Sequence, residues 1–292
     1  MDLSALPLDD GRYLIEAGPA IRLLNCGRDL ARFDRPDAAG TSDPSHLLVL
    51  GGVDFDSAAR TAGPDRDDGT AYRGSGTQCR GLEDLRWAPL PGSRRELDAV
   101  VEAFADIAEV VVLTGAEATG TRLEAEAAGK QILHLATHGY FLEGCRAEIS
   151  CAGNPLLLSG LVLAGANRAA SRDDGIVTAA ELAALDLRGV ELAVLSACDT
   201  GRGDIAVGEG VFGLRRAFDV AGAATVVMSL WPVPDDAARD WMGEFYAAIR
   251  KGGGAPEAAR TVSLARLGAL RDSGRTTCPE LWTGFIAVGD WH

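Results

Sequence analysis

The chain has 292 residues, of which 47% are hydrophobic and 24% are charged, so it is long enough for one large α/β domain or two small ones. Its formal net charge is −14 and its only lysines are Lys130 and Lys251. This charge argues against a nucleic-acid partner, which needs basic clusters, and no stretch reaches the roughly 18 unbroken apolar residues of a membrane span.

The N-terminal part predicts an extension over residues 1–45, followed by the main domain over 46–292. Residues 12–16 and 20–24 are short runs typical of strands, joined by a turn signal, and they predict a hairpin at the edge of a sheet. The apolar run 46–53 that follows is the first convincing core strand.

A polar segment and a helix–strand–helix unit come next. Residues 56–81 lack apolar periodicity and predict a surface loop. Ser93 followed by Glu96 fits the capping box of a helix. A strand is then expected over 109–113 and a short helix over 121–128.

A second buried strand is expected over residues 131–139, with His138 and then Gly139 at its carboxyl end. A long insertion over 140–189 follows. Within it, residues 156–164 are apolar and fit a hairpin strand, and Thr178 starts a capped helix.

The central unit runs over residues 190–235. An apolar strand, 190–195, is followed by Cys198, a Gly-rich loop over 200–210, an amphipathic helix and a second apolar strand, 224–230. This order predicts a right-handed parallel crossover. The remaining segments are expected to be helices over 235–250 and 256–270 and an edge strand over 282–288.

The ends of two predicted strands carry reactive side chains. Ligands and chemistry collect at the carboxyl edge of an open α/β sheet. If the two strands are parallel neighbours, the His138 imidazole and the Cys198 thiol share that edge. A cysteine alone at such a place is often a buried structural thiol, so the pairing with histidine carries the prediction. In caspases the histidine precedes the cysteine by a comparable interval.

Other sites fit the sequence less well. His134 lies four residues before His138, as in a zinc helix, but Leu135 stands where that motif needs glutamate, so a structural role is favoured. The Gly-rich loop lacks the ending of a phosphate-binding loop. Cys145 and Cys151 have no nearby partners that complete a metal site. The sequence therefore predicts no metal and no cofactor.

Four ordered blocks, within a likeness that spans about residues 90–291, resemble the signature blocks of the CHAT domain, a caspase-like cysteine peptidase module related to separase. The blocks are LHLATHG at 133–139, LSACDTG at 195–201, GEG at 208–210 and SLW at 229–231. The resemblance implies a three-layer α/β/α sandwich around a mostly parallel central sheet. It also implies a cysteine endopeptidase that cuts specific protein partners.

The resemblance also assigns roles. His138 and Cys198 would form the catalytic dyad, and the backbone N–H groups of Gly139 and Cys198 would stabilise the oxyanion. Further residues are expected to bind substrate, the acidic ones favouring Arg or Lys at P1: Asp199, Asp204, Glu209, Ser229, Leu230 and Trp231. For Asp199 and Glu209 the residues themselves favour a role in bracing the loop, and Trp231 fits a core position equally well.

The same resemblance implies a setting. Such modules act in bacterial defence and programmed cell death, often beside tetratricopeptide repeats, so a repeat or sensor partner is expected. No secretory segment is evident in the first residues and the six cysteines are irregularly spaced, which favours a cytoplasmic location with free thiols. Two other classes remain open: a catalytically silent caspase-like interaction module, and a small-molecule hydrolase or nucleotide binder.

Overall fold

The computed structural model describes residues 3–24, 44–57, 85–141, 155–168, 175–196, 209–231 and 233–290. Within these ranges the strands are β1 His46–Val53, β2 Glu109–Gly115, β3 Ile132–Leu135, β4 His138–Phe141, β5 Ser159–Val162, β6 Ile176–Thr178, β7 Leu192–Leu195, β8 Thr225–Ser229 and β9 Phe285–Gly289. The helices are α1 Leu14–Ala17, α2 Pro91–Phe104, α3 Gly120–Ala127, α4 Ala179–Leu182, α5 Glu209–Ala221, α6 Asp235–Ile249 and α7 Ala255–Asp272.

Six of these strands form the central sheet, in the order β2-β1-β3-β7-β8-β9. The first five are parallel to their neighbours, and β9 runs antiparallel to β8 at the edge. The unit β7–α5–β8 is the parallel crossover that the sequence predicts. The α/β class and the mostly parallel sheet are therefore confirmed.

Side chains alternate between the two faces of the central sheet, and each face packs against its own layer of helices. In β1, Leu47 and Val49 pack with α2, α6 and α7, whereas Leu48 and Leu50 pack with α3 and α5 on the other face. Successive side chains of a strand point to opposite faces, so a strand that is apolar throughout needs cover on both. The result is the expected three-layer sandwich.

The segment predicted as one strand over residues 131–139 is two strands. β3 ends at Leu135, and the Ala136 N–H still donates to Leu50 in the central sheet. The Thr137 hydroxyl then donates to the Val162 carbonyl, and β4 pairs antiparallel with β5 in a second sheet of order β4-β5-β6. His138 therefore begins a strand of the small sheet and does not end a strand of the large one.

The hairpin expected in the N-terminal extension is wrong. Residues 14–17 form the short helix α1, in which the Tyr13 N–H donates to Glu16 at 2.7 Å. A helical turn buries Ile15 against α7 and Trp282 and brings Glu16 onto Arg271, whereas a hairpin would not place both on the same neighbour. Only an isolated bridge, Leu23 to Val288, joins the described extension to the edge of the sheet.

The capping box expected at Ser93 and Glu96 is also wrong. The N-cap of α2 is Leu90, three residues before Ser93, and the helix begins at Pro91, because proline suits the first turn, where its missing N–H costs nothing. Ser93 instead donates to the Leu90 carbonyl and accepts from the Gly52 N–H, and Glu96 points into the core. The box expected at Thr178 and Glu181 is present at the start of α4.

Two further expectations concern the whole chain. The helices of the described ranges include none that is both long and apolar enough to cross a bilayer. The division into an extension over 1–45 and a domain over 46–292 stays a prediction.

Candidate active site

The strand that precedes His138 and the strand that precedes Cys198 are parallel neighbours in the central sheet. β3 pairs with β7, and the last register partners are Leu135 and Leu195. His138 follows Leu135 by three positions, and Cys198 follows Leu195 by three positions. The predicted adjacency of the two strands is thus confirmed, although Cys198 itself lies outside the described residues.

The His138 ring is held by a main-chain carbonyl. Its Nε2 lies 2.7 Å from the carbonyl oxygen of Ala88, and the residue is 1% exposed. A carbonyl oxygen only accepts, so Nε2 must donate its N–H in this contact. The contact fixes the tautomer of the neutral ring and orients it.

Two aromatic side chains enclose the same ring. The Phe55 ring centroid lies 5.0 Å from that of His138, and the Trp87 ring centroid lies 5.5 Å away. Phe55 follows β1 and Trp87 precedes α2, so both come from the carboxyl edge of the sheet. Sequence reasoning missed Phe55, Trp87 and Ala88, because the contact to His138 is made by a backbone carbonyl and by ring faces, which leave no motif.

The remaining predicted site residues are spread over three elements. Gly139 lies in β4 opposite Leu161. Ser229, at the end of β8, is buried opposite Phe285. The Leu230 N–H donates to the Gly284 carbonyl at 3.2 Å, so pairing with a peptide at Leu230 would use its carbonyl.

The other predicted substrate contacts are only partly described. Trp231 is half-buried, and its indole Nε1 is buried with no hydrogen-bond partner in the described part of the chain. Asp199 and Asp204 lie outside the described residues. Glu209 begins α5, but its side chain is not described.

His134 belongs to a different cluster, on the face of the sheet that α2 and α6 cover. It is fully buried; its Nδ1 lies 2.9 Å from the Tyr246 hydroxyl and its Nε2 lies 3.0 Å from Glu96 Oε1, a contact without hydrogen-bond geometry. Burial is the main reason that the pKa of Tyr246 lies well above its usual value, and the nearby Glu96 carboxyl raises this pKa further. The side chains of the described ranges include no group of three or more His, Cys, Asp or Glu arranged to hold a metal ion.

Comparison with known proteins gives three kinds of match. The model of the CHAT domain family matches residues 1–290. Tetratricopeptide repeat protein 28 of Mus musculus is 29% identical over 223 residues, and that of Homo sapiens is 28% identical over 222 residues. Each alignment covers 70% of this chain but only 9% and 8% of those proteins, so the chain spans less than a tenth of their length.

Among solved structures, the Arg-specific cysteine proteinase gingipain R matches with a TM-score of 0.47 and 8% identity, over 90% of this chain and 50% of the proteinase. A likeness this distant adds no argument about the site. The family match carries the assignment because it extends over nearly the whole sequence. On that match, this chain belongs to the CHAT domain family.

Proposed function

We propose that this chain is a cysteine endopeptidase in which Cys198 is the nucleophile and His138 is the general acid and base. One observation carries the proposal: β3 and β7 are parallel neighbours with Leu135 opposite Leu195, and the histidine and the cysteine each follow by three positions. Membership of the CHAT family supports the reaction type.

The hydrogen bond to Ala88 decides how His138 would work. With Nε2–H committed to the carbonyl at 2.7 Å, Nδ1 exchanges a proton with the Cys198 thiol. The protonated imidazole stabilises the thiolate, as a neighbouring cation lowers the pKa of a thiol. The ring is then already oriented before substrate arrives, so binding energy is not spent on turning it.

The reaction proceeds in two steps. The sulfur attacks the carbonyl carbon of the scissile bond, the C–N bond breaks, and Nδ1–H of His138 gives its proton to the departing amine. A water then loses a proton to Nδ1 and attacks the thioester, which releases the acid and restores the thiol. The N–H groups of Gly139 and Cys198 are proposed to stabilise the oxyanion in both steps, each typically contributing about 3 kcal/mol.

The proposal extends to the substrate and to the regulation of the enzyme. An extended peptide would lie near the end of β8, at Ser229 to Trp231, and carboxylates of Asp199, Asp204 and Glu209 would favour Arg or Lys at P1. The relatives are tetratricopeptide repeat proteins in which the matching region is under a tenth of the length. Repeat units, in the same polypeptide or in a partner, are therefore the proposed source of the activating signal.

The experiment is a digest of a proteome-derived peptide pool, read by mass spectrometry. Wild type should cut at a defined P1 residue, and Cys198→Ala should abolish every cleavage. Cys278→Ala is the matched control, because that thiol is exposed and free and is not part of the proposed dyad.

Three outcomes are informative. Cleavage that survives in Cys198→Ala contradicts the assigned nucleophile. No cleavage by wild type, with and without tetratricopeptide repeats added, combined with tight binding of a protein partner, favours the silent interaction module. Cleavage without a P1 preference contradicts only the acidic pocket.

A further inference from the structure

Asn167 lies in a turn that follows β5 of the small sheet. Val162, the last residue of β5, is the register partner of His138. The turn then brings the chain back to the end of β1, where the Gly165 N–H donates to Asp54 at 3.0 Å and the Asn167 N–H donates to Phe55 at 2.9 Å. Asn167 is therefore close to the site although the sequence places it in the insertion.

The Asn167 side chain forms hydrogen bonds with the main chain of Trp87. Its Oδ1 accepts from the Trp87 N–H at 2.8 Å, and its Nδ2 donates to the Trp87 carbonyl at 3.0 Å and to Asp56 Oδ1 at 3.1 Å. An N–H only donates and a carbonyl only accepts, so the two Trp87 contacts also fix which end of the amide is which. The Asn167 carbonyl accepts from Arg86.

Every polar atom of Asn167 is thus engaged, and the residue is 7% exposed. The partners are the two segments that enclose His138. One segment supplies the Phe55 ring. The other supplies the Trp87 ring and, at the next residue, the Ala88 carbonyl that receives the Nε2 proton.

We propose that Asn167 is a positioning residue for the reaction proposed above. Its amide fixes the Trp87 backbone, so that the Ala88 carbonyl stays in line with Nε2 of His138 and the neutral ring keeps its proton there. No other amide-bearing or hydroxyl side chain in the described ranges bonds to the Trp87 main chain. Asn167 acts through the backbone and does not touch the reacting atoms.

The test is the tautomer of His138, read by NMR in protein with ¹⁵N-labelled histidine, with His138→Gln used to assign its signals. Wild type should show the Nε2–H form. Asn167→Ala should give a mixture of the two neutral tautomers, and kcat/KM should fall by about 10²-fold, as when catalytic groups are misplaced by about 1 Å. Asn167→Asp is the isosteric second variant: it keeps the acceptor for the Trp87 N–H but puts a carboxylate against the Trp87 carbonyl and Asp56.

Thr178→Ala is the matched control. Thr178 is the last residue of β6 in the same small sheet and caps the start of α4, and its hydroxyl bonds to Glu181 rather than to the segments around His138. This control should lower the melting temperature and leave both the tautomer and kcat/KM unchanged.

The tautomer of His138 tests the positioning role of Asn167 independently of peptidase activity. If both Asn167 variants keep the Nε2–H form and wild-type kcat/KM, and only melt earlier as Thr178→Ala does, the proposal is wrong. If wild type cuts nothing, the proposed function fails. In that case a changed tautomer in the Asn167 variants still supports the positioning role, and an unchanged one overturns it.

Discussion

Two histidines four residues apart, His134 and His138, have opposite surroundings. His134 lies in the central sheet among side chains, between the Tyr246 hydroxyl and the Glu96 carboxyl. His138 lies in the small sheet, where its partner of known geometry is a main-chain carbonyl and two aromatic rings face it. Both are buried, so burial alone does not separate a structural histidine from one placed for chemistry.

The two histidines differ in how many of their ring nitrogens face a known polar partner. The Tyr246 hydroxyl and the Glu96 carboxyl face both nitrogens of His134 in a region packed by α2 and α6, which suits a structural role. The carbonyl partner of His138 occupies only Nε2, which leaves Nδ1 for the proton exchange that we propose. The two histidines should therefore respond differently to substitution.

The largest expected effect is on activity, from His138→Gln. Glutamine retains an amide N–H for the Ala88 carbonyl but cannot move a proton, so kcat/KM should fall by about 10³-fold, the usual scale of general acid–base catalysis. Peptide cleavage measured at equal folded concentration checks this.

His134→Gln is the matched comparison. It should lower the stability and leave kcat/KM of the folded protein unchanged. Equal losses of kcat/KM in the two variants would show that the division between the histidines is wrong.

The next effect is on stability, from Glu96→Ala. This change removes the carboxyl that faces His134 Nε2 at 3.0 Å and leaves a space at a position 2% exposed. The free energy of unfolding should fall by about 3 kcal/mol, as when one member of a buried pair is deleted. Denaturant titration measures it.

Asp98→Ala is the control on the same helix. Asp98 pairs with Arg94 at the surface, where a substitution changes the free energy of unfolding by less than about 0.5 kcal/mol. A loss in Glu96→Ala no larger than in this control would contradict the buried contact.

The smallest effect concerns alkaline pH and Tyr246→Phe. Burial raises the pKa of Tyr246 above its usual value of 10.0, so above about pH 10 the unfolded chain loses this proton while the folded chain keeps it. Stability should therefore fall as pH rises through this range, by about 1.4 kcal/mol per pH unit for each such tyrosine.

Tyr246→Phe removes one of these contributions, so its stability should decline less steeply, as followed by denaturant unfolding between pH 9 and 11. Burial raises the pKa of Tyr140 as well, so Tyr140→Phe should flatten the curve in the same way. Identical slopes in wild type and Tyr246→Phe would contradict the prediction. At neutral pH the lost hydroxyl should cost about 1 kcal/mol.

The sequence predicts most of the sheet because its strands are apolar throughout and flanked by turn signals. β1 is found where expected, and the crossover β7–α5–β8 follows from the strand–helix–strand order. The adjacency of β3 and β7 was a condition of the predicted dyad, and the structure meets it. The strand break at Ala136 and Thr137 was not predictable, because residues 132–138 contain no proline or glycine that would mark it. It depends on the Thr137 hydroxyl meeting Val162, a contact between distant parts of the chain.

The sequence identifies only the two side chains of the proposed dyad. His138 and Cys198 are marked by their motifs, and the neighbouring strands agree with them. Ala88, Trp87 and Asn167 lie far apart in sequence and act through backbone contacts, which composition and spacing do not encode. The sequence also predicts a strand where the structure has the helical turn Leu14–Ala17, because the conformation of this segment depends on its packing against α7.

The change of sheet between Leu135 and His138 has a mechanical consequence. The cysteine follows a strand of the large sheet, whereas the histidine pairs with Val162 in the small one, and between Leu135 and His138 the chain has only Ala136 and Thr137 to join the two sheets. The spacing of the proposed dyad then depends on how Tyr140, Leu161 and their neighbours pack the small sheet against the large one. A protein that binds the small sheet would therefore change the spacing of the proposed dyad without contacting either of its residues.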